Sequence, residues 1–547
     1  MPYIAGVIIF IIISNIVNHR KSKVRHRQKI RRLYGQKPKK RDYDFKEIGY
    51  HWQVHKKDVP EDEKIDDISW NDLEMDKVYQ RINNCRSFIG DQVLYSKLHC
   101  LPMDSLYGQG FEKKLSFFAA NAKEREELQV LFSHLGKDSQ SYHLPKSIEQ
   151  LDKHKIPSIW LYRALQLGLI LSFLPALVLN NSSYMYLTLV VLVINVATYT
   201  IGKVKFEANL NLLRNILGII ATGRTLANTK KFTYEKEFED IGRLVKPFKG
   251  ISFIMGLFQM KKDAALSGDM LAILSDYLLG GFLLDFTLYH RIIKGLEARR
   301  GEFTDLYMGL GEVDMAISVA SFRESLPKYC TPSFTRDHVL DLKGIYHPLI
   351  DDPVCNTVTM DKSTIITGSN ASGKSTFIKA VAINAILAQN INTCMAQEMK
   401  IPYAKIITSM AIRDDLMVGE SYYIREIKYL KRIIENISED RLVICLIDEI
   451  LRGTNTVERL AASSSVLTFL SSKNCIAIVA SHDIELTQIL SSLYDNYYFT
   501  EKMQDKDIIF DYKIRKGVSS SRNAISLLEH IGFPEQIIKD AKRMVKG

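Results

Sequence analysis

Ser363–Lys379 reads STIITGSNASGKSTFIK. Four β-favouring residues, Thr364 to Thr367, lead into the pattern Gly368-x-x-x-x-Gly373-Lys374-Ser375, and an apolar-periodic run from Phe377 to Leu387 reads as the helix that follows. Strand, glycine-rich loop and helix in that order form a cradle for the phosphates of a nucleotide. The glycines let backbone N–H groups turn inward, and the helix N-terminus adds its positive end. The expected nucleotide contacts are Gly368, Ser369, Asn370, Ala371, Ser372, Gly373, Lys374, Ser375 and Thr376. Lys374 is expected to reach the β- and γ-phosphates, and the Ser375 hydroxyl to bind Mg²⁺. A plain Gly-rich turn would account for the glycines but not for the flanking strand and helix.

A second half of such a site lies downstream. Arg441 to Glu449, RLVICLIDE, is a continuous apolar run of the kind buried on both faces of a sheet, and it ends in two carboxylates. Asp448 is expected to hold the metal, and Glu449 to orient and deprotonate an attacking water. A third apolar strand, Cys475 to Ala480, ends in Ser481-His482-Asp483. A histidine after a strand is more often a cap or a surface residue, but beside these carboxylates His482 is expected to face the γ-phosphate. From about residue 335 strands and helices alternate. This predicts an α/β P-loop domain, a mostly parallel sheet covered by helices, attached to an all-α region.

Block after block, the same segments resemble the ATPase domain of the MutS mismatch-repair family. The matching residues are TGSNASGKSTFIKAV, AQNINTCMAQ, Gly419 to Glu426, DEILRGTNT and ASHDIEL, with Tyr346-His347-Pro348-Leu349 similar to the family's His-Pro element and Gly517 to Ala541 similar to its C-terminal helical region. Asp66 to Met75, Ile82 to Leu101 and Gly311 to Phe322 resemble parts of the family's helical core more loosely. Several residues depart from the family pattern. Ser369, Ala371 and Ser372 replace Pro, Met and Gly; Leu451 replaces a Gly; and Glu458-Arg459 stand where Asp-Gly is usual. None of these removes a phosphate or metal ligand. The resemblance implies ATP with Mg²⁺ as cofactors, ATP hydrolysis, and binding to mismatched or branched DNA. It also implies a homodimer in which Ser421 completes the partner's nucleotide site, although Ser421 in that place could equally cap the helix expected from Tyr422 to Ile437. No segment corresponding to the family's mismatch reader or connector is evident. Phe45-Lys46-Glu47 spells the reader's Phe-x-Glu, a three-letter coincidence.

The 547 residues suffice for three or more domains, and the net charge is +11. Twelve of the 73 basic residues and no acid lie between Arg20 and Arg41, so the remainder balances at 61 Lys and Arg against 62 Asp and Glu. That single cluster borders an apolar segment, so anionic lipid explains it at least as well as nucleic acid. The seven cysteines form no CxxC pair or metal spacing, and are read as reduced.

The predicted order begins with a transmembrane anchor over 1–19, carried by Tyr3 to Val17, followed by a basic juxtamembrane segment over 20–41. Residues 42–158 form the first part of the helical core. A transmembrane hairpin follows over 159–202, built from Ala164 to Leu179 and Tyr184 to Ile201, with Lys and Arg at both feet and an uncharged Asn-Asn-Ser-Ser turn. A buried helical hairpin is the competing reading. Residues 203–334 return to the core and its levers, and 335–547 carry the ATPase. Met270 to Tyr289 is apolar, but Asp276 and Asp285 within it favour a core helix over a fourth span. Three spans then leave the ATPase in the cytoplasm, and membrane lipid becomes a partner. The leading expectation is a membrane-anchored MutS-like ATPase. The alternative is an ATP-dependent membrane switch or scaffold acting on a protein partner without DNA.

Overall fold

The computed structural model describes residues 18, 21–102, 105–156, 158–178, 183, 185–228, 235–251, 280–369, 372–410, 422–452, 454–504, 507–518 and 532–546. The expected anchor, Tyr3 to Val17, lies outside them.

Twelve strands are described. They are β1 (Ser333–Thr335), β2 (Leu340–Ile345), β3 (Asn356–Met360), β4 (Thr364–Thr367), β5 (Glu398–Pro402), β6 (Lys405–Ser409), β7 (Val443–Asp448), β8 (Cys475–Ser481), β9 (Asp495–Tyr498), β10 (Glu501–Gln504), β11 (Asp507–Phe510) and β12 (Arg515–Lys516). The central sheet has the order β12-β9-β4-β8-β7-β6, parallel throughout except for β12. Strand alternation divides its residues between two cores. Ile444 and Leu446 face the cluster that includes helix Lys374–Ile391, while Val443, Cys445 and Ile447 face one built with Leu430, Ile433, Leu467 and Leu470 of helices Tyr422–Glu435 and Thr456–Ser471. The sheet is therefore covered on both faces, as the unbroken apolar run in β7 predicts. A second sheet, β1-β5-β2-β3, and the hairpin β10-β11 flank it, and the sequence reading had placed neither.

The helical region shares the first of these cores without a break. Its axis is helix Arg300–Glu324, the lever helix, which is buried almost continuously from Val313 to Arg323. The polar residues of its buried part, Asp314, Ser318, Ser321 and Arg323, each bond a distant segment. Asp314 accepts hydrogen bonds from Arg86 N at 3.0 Å, Ser87 N at 2.9 Å and Ser87 Oγ at 2.6 Å, which anchors the start of helix Phe88–Leu98. Ser321 Oγ accepts from Gly35 N at 3.0 Å and Asn84 Nδ2 at 2.7 Å. Arg323 donates to both carboxylate oxygens of Glu112 at 2.7 Å, and to Asn392 O at 2.6 Å, just past helix Lys374–Ile391. Two glycines permit this approach: a Cβ on Gly90 would lie 2.4 Å from Asp314 Oδ2, and one on Gly311 would lie 2.4 Å from Val93 Cγ2. Phe45, the coincidental wedge residue, packs edge-on against Tyr79 with ring centroids 5.7 Å apart.

Three expectations change. The basic juxtamembrane segment, to which no secondary structure was assigned, is helical over residues 21–33, with Ile30 buried and Arg31 paired with Glu126. The boundary at 202/203 does not exist in the backbone, because one helix runs from Met185 to Asn228. Its first part and helix Ile159–Val178 form the expected hairpin. Two segments here, Leu151–Pro175 and Met185–Gly202, are long and apolar enough to cross a membrane, and only 18% and 17% of them is buried. Most of the hairpin thus lies outside the core, which it enters at Tyr199. Finally, the described part of Met270 to Tyr289 is not a single helix: it turns at Phe282 and Leu283 and restarts as Leu284–Glu297. Asp285, Phe286 and Tyr289 are buried, while residues 270–279 lie outside the described set.

Asp314→Ala should leave the Arg86 and Ser87 amides without their acceptor in a dry interface. We expect a loss of about 2–3 kcal/mol, read as a lower thermal midpoint. An unchanged midpoint would show that the cap does not hold these helices together.

Candidate functional site

β4 delivers the chain to Gly368, whose φ is +148°, and the loop closes at Gly373, whose φ is +107°. A Cβ at Gly368 would lie 2.8 Å from Phe499 O, and one at Gly373 would lie 3.1 Å from Tyr512 Cδ1, so conformation and space both require glycine. Helix Lys374–Ile391 starts immediately after. Lys374 is buried, and its ammonium donates to Gly368 O at 2.7 Å and Ser369 O at 2.9 Å. Burial pushes it down to about 8, against the opposing pull of the Glu449 and Asp448 carboxylates. Ser369 Oγ donates to Glu501 Oε2 at 2.9 Å. Ser375 is half-buried and Thr376 exposed, and both line the cavity above the loop. Asn370, Ala371 and Ser421 lie outside the described residues.

The register of the sheet brings the second half alongside. Thr367 pairs with Ser481, and Asp448 with Ala480, so β4, β8 and β7 end at one edge. Asp448 is buried, and its Oδ1 has no hydrogen-bond partner among the described residues. A carboxylate here with the Ser375 hydroxyl nearby on the cavity wall is a hard-oxygen donor set that suits Mg²⁺. Glu449 follows with φ +62°, its N–H bonded to Ala480 O at 3.0 Å. Its carboxylate meets His482 Nε2 at 2.7 Å on one oxygen and Arg452 on the other. Burial raises the Glu449 carboxyl, but the His482 hydrogen bond and the His482 and Arg452 charges prevail and hold it below the usual range.

Leu451, where the family has Gly, takes a φ of +56° and is buried in the second core. A left-handed leucine is strained, and packing retains it. Glu458 and Arg459 also have contacts. Asn455 caps helix Thr456–Ser471 through Glu458 N at 2.9 Å, and Arg459 grips Asp483 with two bonds of 2.9 and 2.7 Å, next to His482. Glu426 accepts from Arg452 N at 3.2 Å, connecting helix Tyr422–Glu435 to the turn that carries Glu449.

Lys374, Ser375, Asp448, Glu449 and Arg452 line one cavity of about 710 Å³, a size that takes a nucleotide, and His482 reaches it through Glu449. Sequence reasoning missed its far wall, where Tyr512 stands beside Asn356 and Val354. Asn356 holds that wall by donating to Tyr512 O at 3.0 Å and accepting from Ile514 N at 2.9 Å. No motif marks Tyr512. His347 of the His-Pro element is found there too, and burial pushes it down to about 4.

Residues 364–547 match the family model for MutS domain V. The chain is 31% identical over 270 residues to the DNA mismatch repair protein MutS of Pseudothermotoga lettingae, covering 47% of this chain and 33% of that protein. It is 28% identical over 276 residues to the same-named protein of Lactobacillus delbrueckii subsp. bulgaricus, covering 48% and 32%, and 28% identical over 273 residues to that of Thermotoga maritima, covering 48% and 34%. The chain spans about a third of the length of these curated relatives. Over its C-terminal half, the chain is similar to MutS proteins, and the family model it matches there is that of MutS domain V.

Proposed function

We propose that this chain is a membrane-held ATPase of the MutS type, which binds and hydrolyses ATP in a homodimer and couples that cycle to mismatched or branched DNA. One observation carries the proposal: Lys374, Asp448 and Glu449 converge around a single cavity over a glycine-pinned loop, and His482, at the end of the strand between theirs, bonds Glu449. The match to MutS domain V and the relatives named mismatch repair proteins support the DNA part.

In this reading, phosphate oxygens replace the Gly368 and Ser369 carbonyls around the Lys374 ammonium. Ser375 and Asp448 would hold Mg²⁺, which would supply neutralisation of phosphate charge. Glu449, ionised, accepts the proton of the attacking water. His482 and Arg452 orient that carboxylate, and His482 faces the γ-phosphate. Loop residues 368–376 form the cradle, and Ser421 reaches the partner's site. The exposed apolar hairpin, with charged feet and an uncharged turn, crosses the bilayer from the side of the ATPase. Tyr3 to Val17 adds a third span, which leaves the ATPase in the cytoplasm.

Lys374→Ala should weaken binding of a fluorescent ATP analogue at least tenfold. Glu449→Gln should keep that binding, lower phosphate release by about 10²-fold or more, and accumulate a closed dimer visible by light scattering. Retained turnover in Glu449→Gln would remove the assignment of the base. The depressed Lys374 adds a pH test. Below about pH 8 the empty site already carries the ammonium that phosphate prefers, so affinity is flat. Above it, binding must take up a proton, and affinity falls by up to about tenfold per pH unit. Lys374→Arg, protonated throughout, should abolish that slope even where its affinity is lower.

For the DNA part, turnover of the full chain in nanodiscs at near-physiological salt should rise with mismatched or branched DNA and not with homoduplex. No response to any DNA, with basal turnover intact, would leave an ATPase without that client.

A further inference from the structure

Two thiols that the nucleotide site does not use meet where the helical region joins the ATPase. Cys330 follows the lever helix, which ends at Glu324, and Cys394 follows helix Lys374–Ile391, the phosphate-loop helix. Cys330 N donates to Cys394 O, and Cys394 N to Cys330 O, both at 2.9 Å, in an isolated antiparallel bridge. Reciprocal bonds of this kind define a directly opposed pair, with Cα atoms about 5.5 Å apart and side chains on one face. A disulfide spans about 4.4–6.8 Å between Cα atoms. The sulfurs are already in contact, because the Cys394 thiol donates a hydrogen bond to that of Cys330.

The two thiols are unequal. Cys394 is buried, whereas Cys330 is partly exposed and stands between exposed Tyr329 and Thr331. The Cys394 hydrogen bond and, less strongly, the Arg323 charge hold the Cys330 thiol below its ordinary range, while burial pushes the Cys394 thiol up. Cys330 is therefore the sulfur that meets a dissolved oxidant, with Cys394 behind it to resolve the product. Cys445 and Cys475 also hydrogen-bond each other, but both are buried in the central sheet.

We propose that Cys330 and Cys394 are a reversible oxidation site for peroxide, whose disulfide clamps the end of the lever helix to the end of the phosphate-loop helix. The Cys330 sulfur attacks one peroxide oxygen, the O–O bond breaks, and the other oxygen leaves as water with the proton Cys330 gave up. The Cys394 sulfur then attacks the resulting sulfenic acid, the S–O bond breaks, and a second water leaves. Two thiols thus give two electrons and two protons to one hydrogen peroxide. In the reduced protein Arg323 joins these ends by hydrogen bonds, to Asn392 O at 2.6 Å and Thr393 Oγ1 at 2.9 Å. Such bonds can rearrange, and a disulfide cannot. The effect on turnover rests on the ATPase reading, so the test also has readouts that do not.

The full chain, with the exposed Cys355 replaced by Ser, is held in phosphatidylcholine nanodiscs, treated with hydrogen peroxide and digested without reductant. The expected product is a cross-linked peptide joining Cys330 to Cys394, two hydrogens lighter than its thiols. The apparent thermal midpoint should rise by a few degrees and ATP turnover should fall several-fold, with dithiothreitol reversing all three. Cys330→Ser and Cys394→Ala, each at parental turnover when untreated, should show neither shift. Cys330 left as a thiol, or carried to sulfinic acid with Cys394 still a thiol, would overturn the site, and so would a disulfide between Cys445 and Cys475 formed as readily. The expected cross-link with an unchanged midpoint, or with unchanged turnover, would overturn the clamp. A reduced chain without turnover would sink the ATPase reading alone, and the peptide and the midpoint would still decide the site.

Discussion

Burial of the lever helix from Val313 to Arg323 is the constraint on which the architecture rests, because a helical segment enclosed on all sides cannot leave its polar residues to water. Asp314, Ser318, Ser321 and Arg323 are all buried, and each is bonded to a segment remote in sequence. Ser318 Oγ, for example, donates to Ile82 O at 3.0 Å and accepts from Asn84 N at 2.7 Å. These bonds add little net energy individually, but an unmade one in this interface costs the full desolvation of its group. They fix which segments meet. Residues 35 and 84–87, the helices around them, and the end of the phosphate-loop helix are all referred to one axis.

The candidate site follows from a different regularity. In a parallel sheet, neighbouring strands end at the same edge, so residues more than a hundred positions apart arrive together once the register is set. Thr367, Asp448 and Ser481 illustrate this. What the sheet does not supply is the direction of the side chains beyond it, and here the turn after β7 matters. Glu449 and Leu451 both hold positive φ values, a conformation retained because Leu451 is packed in the second core and because Ala480, Glu426 and His482 grip the turn. The strain is local, and the restraints on it come from three separate elements.

The phosphate loop, the buried strand with its two acids, and the apolar hairpin were legible in the sequence, because each has a short-range physical signature: glycines at fixed spacing, an unbroken apolar run, or a long one with charged ends. The helix expected from Tyr422 to Ile437 ends at Glu435, a difference within ordinary fraying. The far wall of the cavity was illegible, since Tyr512 is placed by Asn356, far away along the chain, and carries no local pattern. Arg459 was noted only as a departure, and its use became visible when Asp483 was found opposite. The supposed boundary at 202/203 came from a change in hydropathy at Lys203 and Lys205. A helix continues wherever its backbone bonds continue, whatever medium its side chains meet.

That unbroken helix, Met185–Asn228, also has a mechanical meaning. Gly223, near its far end, is wedged between Val245 and Leu306, the latter on the lever helix; a Cβ there would lie 2.6 Å from Val245 Cγ2. The core grips the helix from Leu212 to Leu226, and from the near edge of that grip to Met185 is about 40 Å of rod at 1.5 Å per residue. A tilt of about 5° there, small enough for packed helices to absorb by sliding, displaces the distal tip by roughly 3.5 Å, more than two residues of helical rise. The geometry is that of an oar in its lock, with the short arm inside the helical core and the long arm ending at the tip of the apolar hairpin.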